Sequence, residues 1–371
     1  MKFGKATALA AFVAGLLRAA PPLPAQQSAD PAPAQPSPTP TLTVQGKLVN
    51  LPVVVRDKNG ALVTTLHKDD FALQVDGRSQ PIRYFDLDNN LPLTLGLLVD
   101  ISGSVRSAIN EERTASEAFL DDMMASPAGR PPDQAFLIQF AREVDLLQGL
   151  SPSVPKLRAA LNRVGDDSPD HGNNNPRNGR PGNPRGPARS AAGTTLYDAI
   201  YLGSNELMQK QQGRKAIVVL TDGEDRGSME TLNNAIEAAQ RAETVVYAIY
   251  FKGEQRQGPA FGHGGFGGPH GMPGGGRYPG GGRRGPEQQV DGRKILTELT
   301  KETGGRMFEV SGNQTFAAIY AQIGEELRSQ YRLGSVPDAE AASTGFHRVE
   351  LTLPREKKLT IQTRGGYYGG E

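Results

Sequence analysis

The sequence predicts an α/β protein: a doubly wound, mostly parallel sheet with helices on both faces, joined to a small β module made of N-terminal strands and of C-terminal strands expected to rejoin them. Three observations carry this. Four short runs, residues 93–99, 135–140, 216–220 and 244–251, are apolar nearly throughout, as strands buried on both faces should be. Between and after them lie amphipathic segments of helical period. Before Pro92 and after Gln330 the chain reads instead as short strands separated by turn residues.

Residues 1–25 have the layout of an export signal: Lys2 and Lys5, the apolar "ATALAAFVAGLL", then small residues and prolines to Ala25. Arg18 cuts the apolar run short of a membrane span, so cleavage near Gln26 is expected, with an uncleaved anchor as the alternative. Residues 26–42, rich in Pro, Ala and Ser, cannot bury a core and read as an extended linker. An exported, cysteine-free chain with such a linker suggests a bacterial envelope, hence a periplasmic, cell-surface or extracellular location.

Residues 43–90 form the β module: "LVNLPVVVRD", a Lys58-Asn59-Gly60 turn, "DDFALQVDG" with an Asp76-Gly77 turn, then "QPIRYFDL". Residues 91–330 form the α/β domain, with helices predicted over 105–124, 154–164, 196–212, 229–242, 294–303 and 316–330. Two inserts within it, 166–190 and 253–289, are too rich in Gly, Pro and Asn to pack and read as disordered loops. Residues 331–371 return to β character in "HRVELTLP" and "KKLTIQTRGGYY", and a free-standing hairpin would be marginal.

Composition narrows the function. With 371 residues, 37% of them apolar, the chain has room for a sizeable core. Lys plus Arg (41) balances Asp plus Glu (40), so no global field draws it to nucleic acid, and no membrane span is expected after signal cleavage. The absence of cysteine removes disulfides, thiolate metal sites and a cysteine nucleophile. No G-x-S-x-G elbow and no Walker A motif occurs. "LLVDISGSV" fails as an aspartyl-phosphatase strand, because Ser102 stands where the second acid belongs. "DLDNN" at 86–90 lacks the glycine and glutamate of a calcium loop and reads as a linker turn. His263 and His270 sit in an insert, while His171 and His347 have no evident partner in the sequence.

The informative stretch is "LTLGLLVDISGSV", a buried strand that breaks into Asp100, Ser102 and Ser104. In an open parallel sheet, ligands bind beyond the carboxyl ends of the strands, where strand order reverses. Two further segments should end near that edge: "AAGTTLYDAI" with Thr194, and "IVVLTDGED" with Asp222. Two carboxylates and three hydroxyls without nitrogen or sulfur suit Mg²⁺, with Mn²⁺ or Ca²⁺ next. Asp100 and Asp222 only neutralise a dication, which leaves it an acceptor for one more anionic oxygen. The competing reading of Asp100, Ser102 and Ser104 is a helix N-cap. Glu224 and Asp225, beside Asp222, are candidates for a second cation site, though acids so placed are more often solvated loop residues.

These segments carry a resemblance. "DISGSV" is similar to the Asp-x-Ser-x-Ser motif of von Willebrand factor type A domains, "GTTLYDAI" to their threonine segment and "LTDGED" to their second aspartate segment, in the family's order. It covers about residues 91–330, and the flanks resemble a bacterial group of such proteins associated with acidobacteria. The resemblance implies a metal-ion-dependent adhesion site with Ser102 and Ser104 as direct ligands, Thr194 as a direct or water-mediated one, and Asp100 and Asp222 holding coordinated water. Thr195 is the rival of Thr194, which lies six before Ile200 as in the family motif. The implied function is an exported, non-enzymatic binding module whose Mg²⁺ accepts an acidic side chain from a partner protein. The alternative is a metal-assisted hydrolase or an accessory subunit of an envelope enzyme complex.

Overall fold

The computed structural model describes residues 48–370 except 88–90, 126–130, 167–193, 253–290, 339 and 357. The expected signal, the linker, both inserts save Asp166, and most of the 86–90 turn lie outside the described residues. In chain order the elements are β1 (Val49–Arg56), β2 (Ala72–Val75), β3 (Arg78–Gln80), β4 (Ile82–Leu87), β5 (Leu93–Asp100), α1 (Ile109–Met123), β6 (Gln134–Phe140), β7 (Val144–Ser151), α2 (Val154–Leu161) and α3 (Leu196–Leu202). They continue as β8 (Arg214–Thr221), α4 (Leu232–Arg241), β9 (Val245–Tyr250), α5 (Gly292–Thr303), β10 (Met307–Glu309), α6 (Phe316–Arg328), β11 (Tyr331–Ser335), β12 (Gly345–Thr352), β13 (Thr360–Gln362) and β14 (Gly366–Gly369).

The larger sheet runs β10-β9-β8-β5-β6-β7. Its pairings are parallel except for β7, which returns antiparallel beside β6. Every residue of β5 is buried, as a central strand covered on both faces requires. Side chains alternate between the faces: Leu95, Leu97 and Val99 pack with Phe119 of α1, Leu161 of α2 and Ile323 of α6. Leu98 packs on the other face with Ile200 of α3, Ala239 of α4 and Leu296 of α5. The chain lays down β5, β6 and β7 in one direction and β8, β9 and β10 in the other, so the reversal falls between β5 and β8. Helices α1 and α4 leave those strands toward opposite faces, which opens a crevice at their carboxyl ends.

Three local differences from the sequence reading have structural causes. The edge strand β7 was not anticipated because its residues are half-buried and do not form an apolar run. Helix α4 starts at Leu232 rather than at 229, because the Thr231 hydroxyl caps it by accepting from the Asn234 amide at 3.2 Å. The helix predicted over 196–212 is α3 followed by a π turn over Gly203–Met208.

Two four-stranded antiparallel sheets, β13-β1-β11-β4 and β14-β12-β2-β3, make the β module from both ends of the described chain. They share one core of Leu51, Val53, Val55, Leu73, Val75, Leu333, Val349 and Leu351. The Asp76-Gly77 turn between β2 and β3 has positive φ at both residues, 50° and 76°. His347 of β12 does have partners: Nδ1 lies 2.8 Å from an Asp76 carboxylate oxygen and Nε2 lies 2.9 Å from the Ser343 carbonyl.

Candidate metal centre

Asp100 is the last residue of β5 and Thr221 the last of β8, side by side at the crevice. The Asp100 carboxylate is fully buried. One oxygen accepts from the Ser102 amide at 2.8 Å and the other from the Thr221 hydroxyl at 2.8 Å. Burial pushes its pKa up to about 6, with the neighbouring Asp222 charge adding to the rise, while hydrogen bonds from Ser102 and Thr221 resist it. Past the strand end the chain turns outward, bringing the Ser102 and Ser104 hydroxyls within 3.1 Å of each other, half-buried and exposed respectively.

Asp222 follows β8 and is half-buried, its carboxylate accepting from the Glu224 amide at 3.0 Å. Thr194, buried, is tied to that same loop: its carbonyl accepts from the Arg226 and Gly227 amides, both at 3.1 Å. Thr195 points elsewhere. Its hydroxyl and its amide both donate to the Ala141 carbonyl, at 3.2 and 2.8 Å, which commits that hydroxyl to the backbone. The structure thus gathers the segments of Asp100, Ser102, Ser104, Thr194 and Asp222 at one sheet edge.

The sequence reading missed Thr221, whose hydroxyl also accepts from the Gly223 amide at 3.1 Å and so links the two aspartate segments. Its only signal was its place at a strand end, immediately before Asp222. The reading of Asp225 as a solvated acid is corrected. It accepts from the Ser228 hydroxyl at 2.6 Å and from the Tyr197 amide at 3.3 Å, bracing the start of α3. Glu224 pairs with Arg226 at 2.7 Å. Asp198 in turn accepts from the Met229 and Glu230 amides at 3.1 and 2.8 Å, so α3 and the loop after β8 hold each other.

A hard divalent cation fits this donor set. Every candidate donor is oxygen, and Asp100 has no arginine or lysine at pairing distance among the described residues, although burial makes its ionised form expensive. Among the described residues there is no group of three or more His, Asp or Glu able to hold a metal, so a cation here relies on hydroxyl oxygens beside the two carboxylates.

Residues 95–224 match the family of the von Willebrand factor type A domain. No curated protein matches the chain. Among solved structures it is similar to proximal thread matrix protein 1 from the mussel byssus, at 13% identity over 67% of this chain with a TM-score of 0.43. The chain spans about half that protein's length, 48%; another structure of it has a zinc-occupied MIDAS motif. An aerotolerance-related membrane protein from Bacteroides fragilis matches at 18% identity over 63% of this chain and 98% of its own, TM-score 0.37. The vWF domain of the type V pili tip protein Mfa5 from Porphyromonas gingivalis matches at 9% over 64% of this chain and 95% of its own, TM-score 0.39.

Proposed function

We propose that this domain is an exported, metal-dependent protein-binding module rather than an enzyme. Mg²⁺ is the favoured ion, with Ser102 and Ser104 as direct ligands, Thr194 as a third contributor, and Asp100 and Asp222 holding coordinated water. The observation that carries the reading is the pairing of a fully buried Asp100, which has no arginine or lysine at pairing distance among the described residues, with a second carboxylate and two adjoining hydroxyls at the crevice between β5 and β8. Two carboxylates neutralise the ion without overloading it, so it retains affinity for one acidic side chain of a partner. Asp100, Asp222 and Asp225 accept hydrogen bonds that shape the site, and in this reading the first two hold coordinated water rather than deprotonate it. Among the described residues no helix is long and apolar enough to cross a membrane.

Calorimetric titration of the purified protein with Mg²⁺ and Mn²⁺, followed by capture from envelope extract with and without EDTA, tests the proposal. Saturable ion binding together with EDTA-sensitive capture is the expected result. No heat at millimolar ion for the wild type would end it.

A further inference from the structure

Two glycines meet backbone to backbone beneath the proposed metal centre. A Cβ on Gly292, the first residue of α5, would lie 2.1 Å from the Asp222 carbonyl oxygen and 3.0 Å from the Gly223 backbone. A Cβ on Gly223, which has φ +73°, would lie 2.5 Å from the Gly292 carbonyl oxygen. Neither contact leaves room for any side chain without moving main chain.

The contact reaches both carboxylates. It fixes the backbone of Asp222 directly. Through Gly223 it fixes an amide that donates to the Thr221 hydroxyl at 3.1 Å, and that hydroxyl donates to Asp100 at 2.8 Å. Because the Gly223 amide occupies an acceptor position of Thr221, the hydroxyl proton is directed to Asp100. Upstream, the Asp291 carboxylate caps α5 by accepting from the Arg293 amide at 3.1 Å, which holds the first turn against the loop.

We infer that Gly292 is a positioning residue for the metal centre, and that the start of α5 is the element through which ion affinity is set. The inference rests on the metal reading above. It gives the glycine a role beyond packing.

The test compares Gly292→Ala with Gly305→Ala. Gly305 follows the other end of α5, and a Cβ there would lie 1.9 Å from the Val246 carbonyl, an equally tight contact at a different place. Mn²⁺ and Mg²⁺ affinities are measured by calorimetry, and folding by circular dichroism and melting temperature. Gly292→Ala should weaken ion binding roughly 10- to 100-fold, the range usual for partners of metal ligands. Gly305→Ala should lower the melting temperature and leave ion affinity alone. Should Gly292→Ala not fold, Asp291→Ala, which only loosens the first turn, must weaken ion binding several-fold. Wild-type affinity in the folded Gly292→Ala or Asp291→Ala protein overturns the inference while the metal reading stands. Absence of ion binding in the wild type overturns both.

Discussion

The Thr221 hydroxyl donates to the buried carboxylate of Asp100 across 2.8 Å, joining the ends of two adjacent parallel strands. It thereby ties the second aspartate segment to the first. Thr221→Val keeps the shape and removes the donor, leaving one Asp100 oxygen buried without its partner, at a cost of about 1–3 kcal/mol. The expected outcome is a lower melting temperature together with a roughly ten-fold loss of Mg²⁺ affinity. Calorimetry on the valine variant checks this, and unchanged affinity would mean that Asp100 is held well enough by Ser102 alone.

The metal-free protein should be more stable without its Asp100 charge. An acid whose pKa rises on folding loses stability as pH climbs from its unfolded value toward its folded one, here from 3.8 to about 6. Above pH 6 the ionised carboxylate therefore costs on the order of 3 kcal/mol when no cation is bound. Asp100→Asn should raise the melting temperature in EDTA and abolish the further rise that millimolar Mg²⁺ gives the wild type. Melting in EDTA and in Mg²⁺, for both proteins, is the measurement. An asparagine variant that melts lower in EDTA and still responds to Mg²⁺ would contradict the assignment.

The fold was legible where burial is two-sided: runs such as "LTLGLLV" and "AIVVL" are apolar because β5 and β8 are covered on both faces. Edge strands β7 and β10 were not legible, since one is half-buried and the other is three residues long. Asp100, Ser102 and Ser104 could be singled out because they interrupt an apolar run. Thr221 and the Gly223–Gly292 contact could not, because they act through neighbours separated by up to 121 residues in sequence. His347 gave no signal because its partner Asp76 sits 271 residues away, across the β2–β12 pairing.

Glu112 of α1 is buried against α6, where its Oε1 lies 2.5 Å from the Ser116 hydroxyl and 3.0 Å from the Tyr320 hydroxyl. Those hydroxyls are themselves 2.7 Å apart. Two hydroxyl protons cannot fill three contacts, so the triangle closes fully only when Glu112 carries a proton. Burial pushes its pKa up, against the hydrogen bonds from Ser116 and Tyr320 and the charge of Arg113. Stability supplied by the neutral form is therefore present below the unfolded pKa of about 4.3 and declines as pH rises toward the folded value. Glu112→Gln should match the wild type at pH 4 and melt progressively higher than it as pH increases. A constant difference across that range would assign the decline to other groups.

His347 should confer the opposite slope. Both ring nitrogens face acceptors, the Asp76 carboxylate and the Ser343 carbonyl, so both contacts are satisfied together only when both nitrogens carry hydrogen, which favours the imidazolium. Burial works against that charge, but the hydrogen bonds to Asp76 and Ser343 outweigh it and raise the pKa, while the same contact to His347 lowers the pKa of Asp76. A histidine raised on folding stabilises fully below its unfolded pKa of about 6.5, and that contribution is lost as pH rises through the folded value. The lowered Asp76 contributes above about 3.9 and loses its contribution as pH falls through its folded value. The β module should accordingly be most stable between these limits, where the aspartate is ionised and the imidazole charged. Asp76→Asn removes the acceptor that favours the imidazolium, so the fall in melting temperature between pH 6 and pH 9 should be shallower than in the wild type. Nuclear magnetic resonance titration of the His347 ring in both proteins locates the shift directly. An equal pKa in the two would show that the Ser343 carbonyl alone holds the proton.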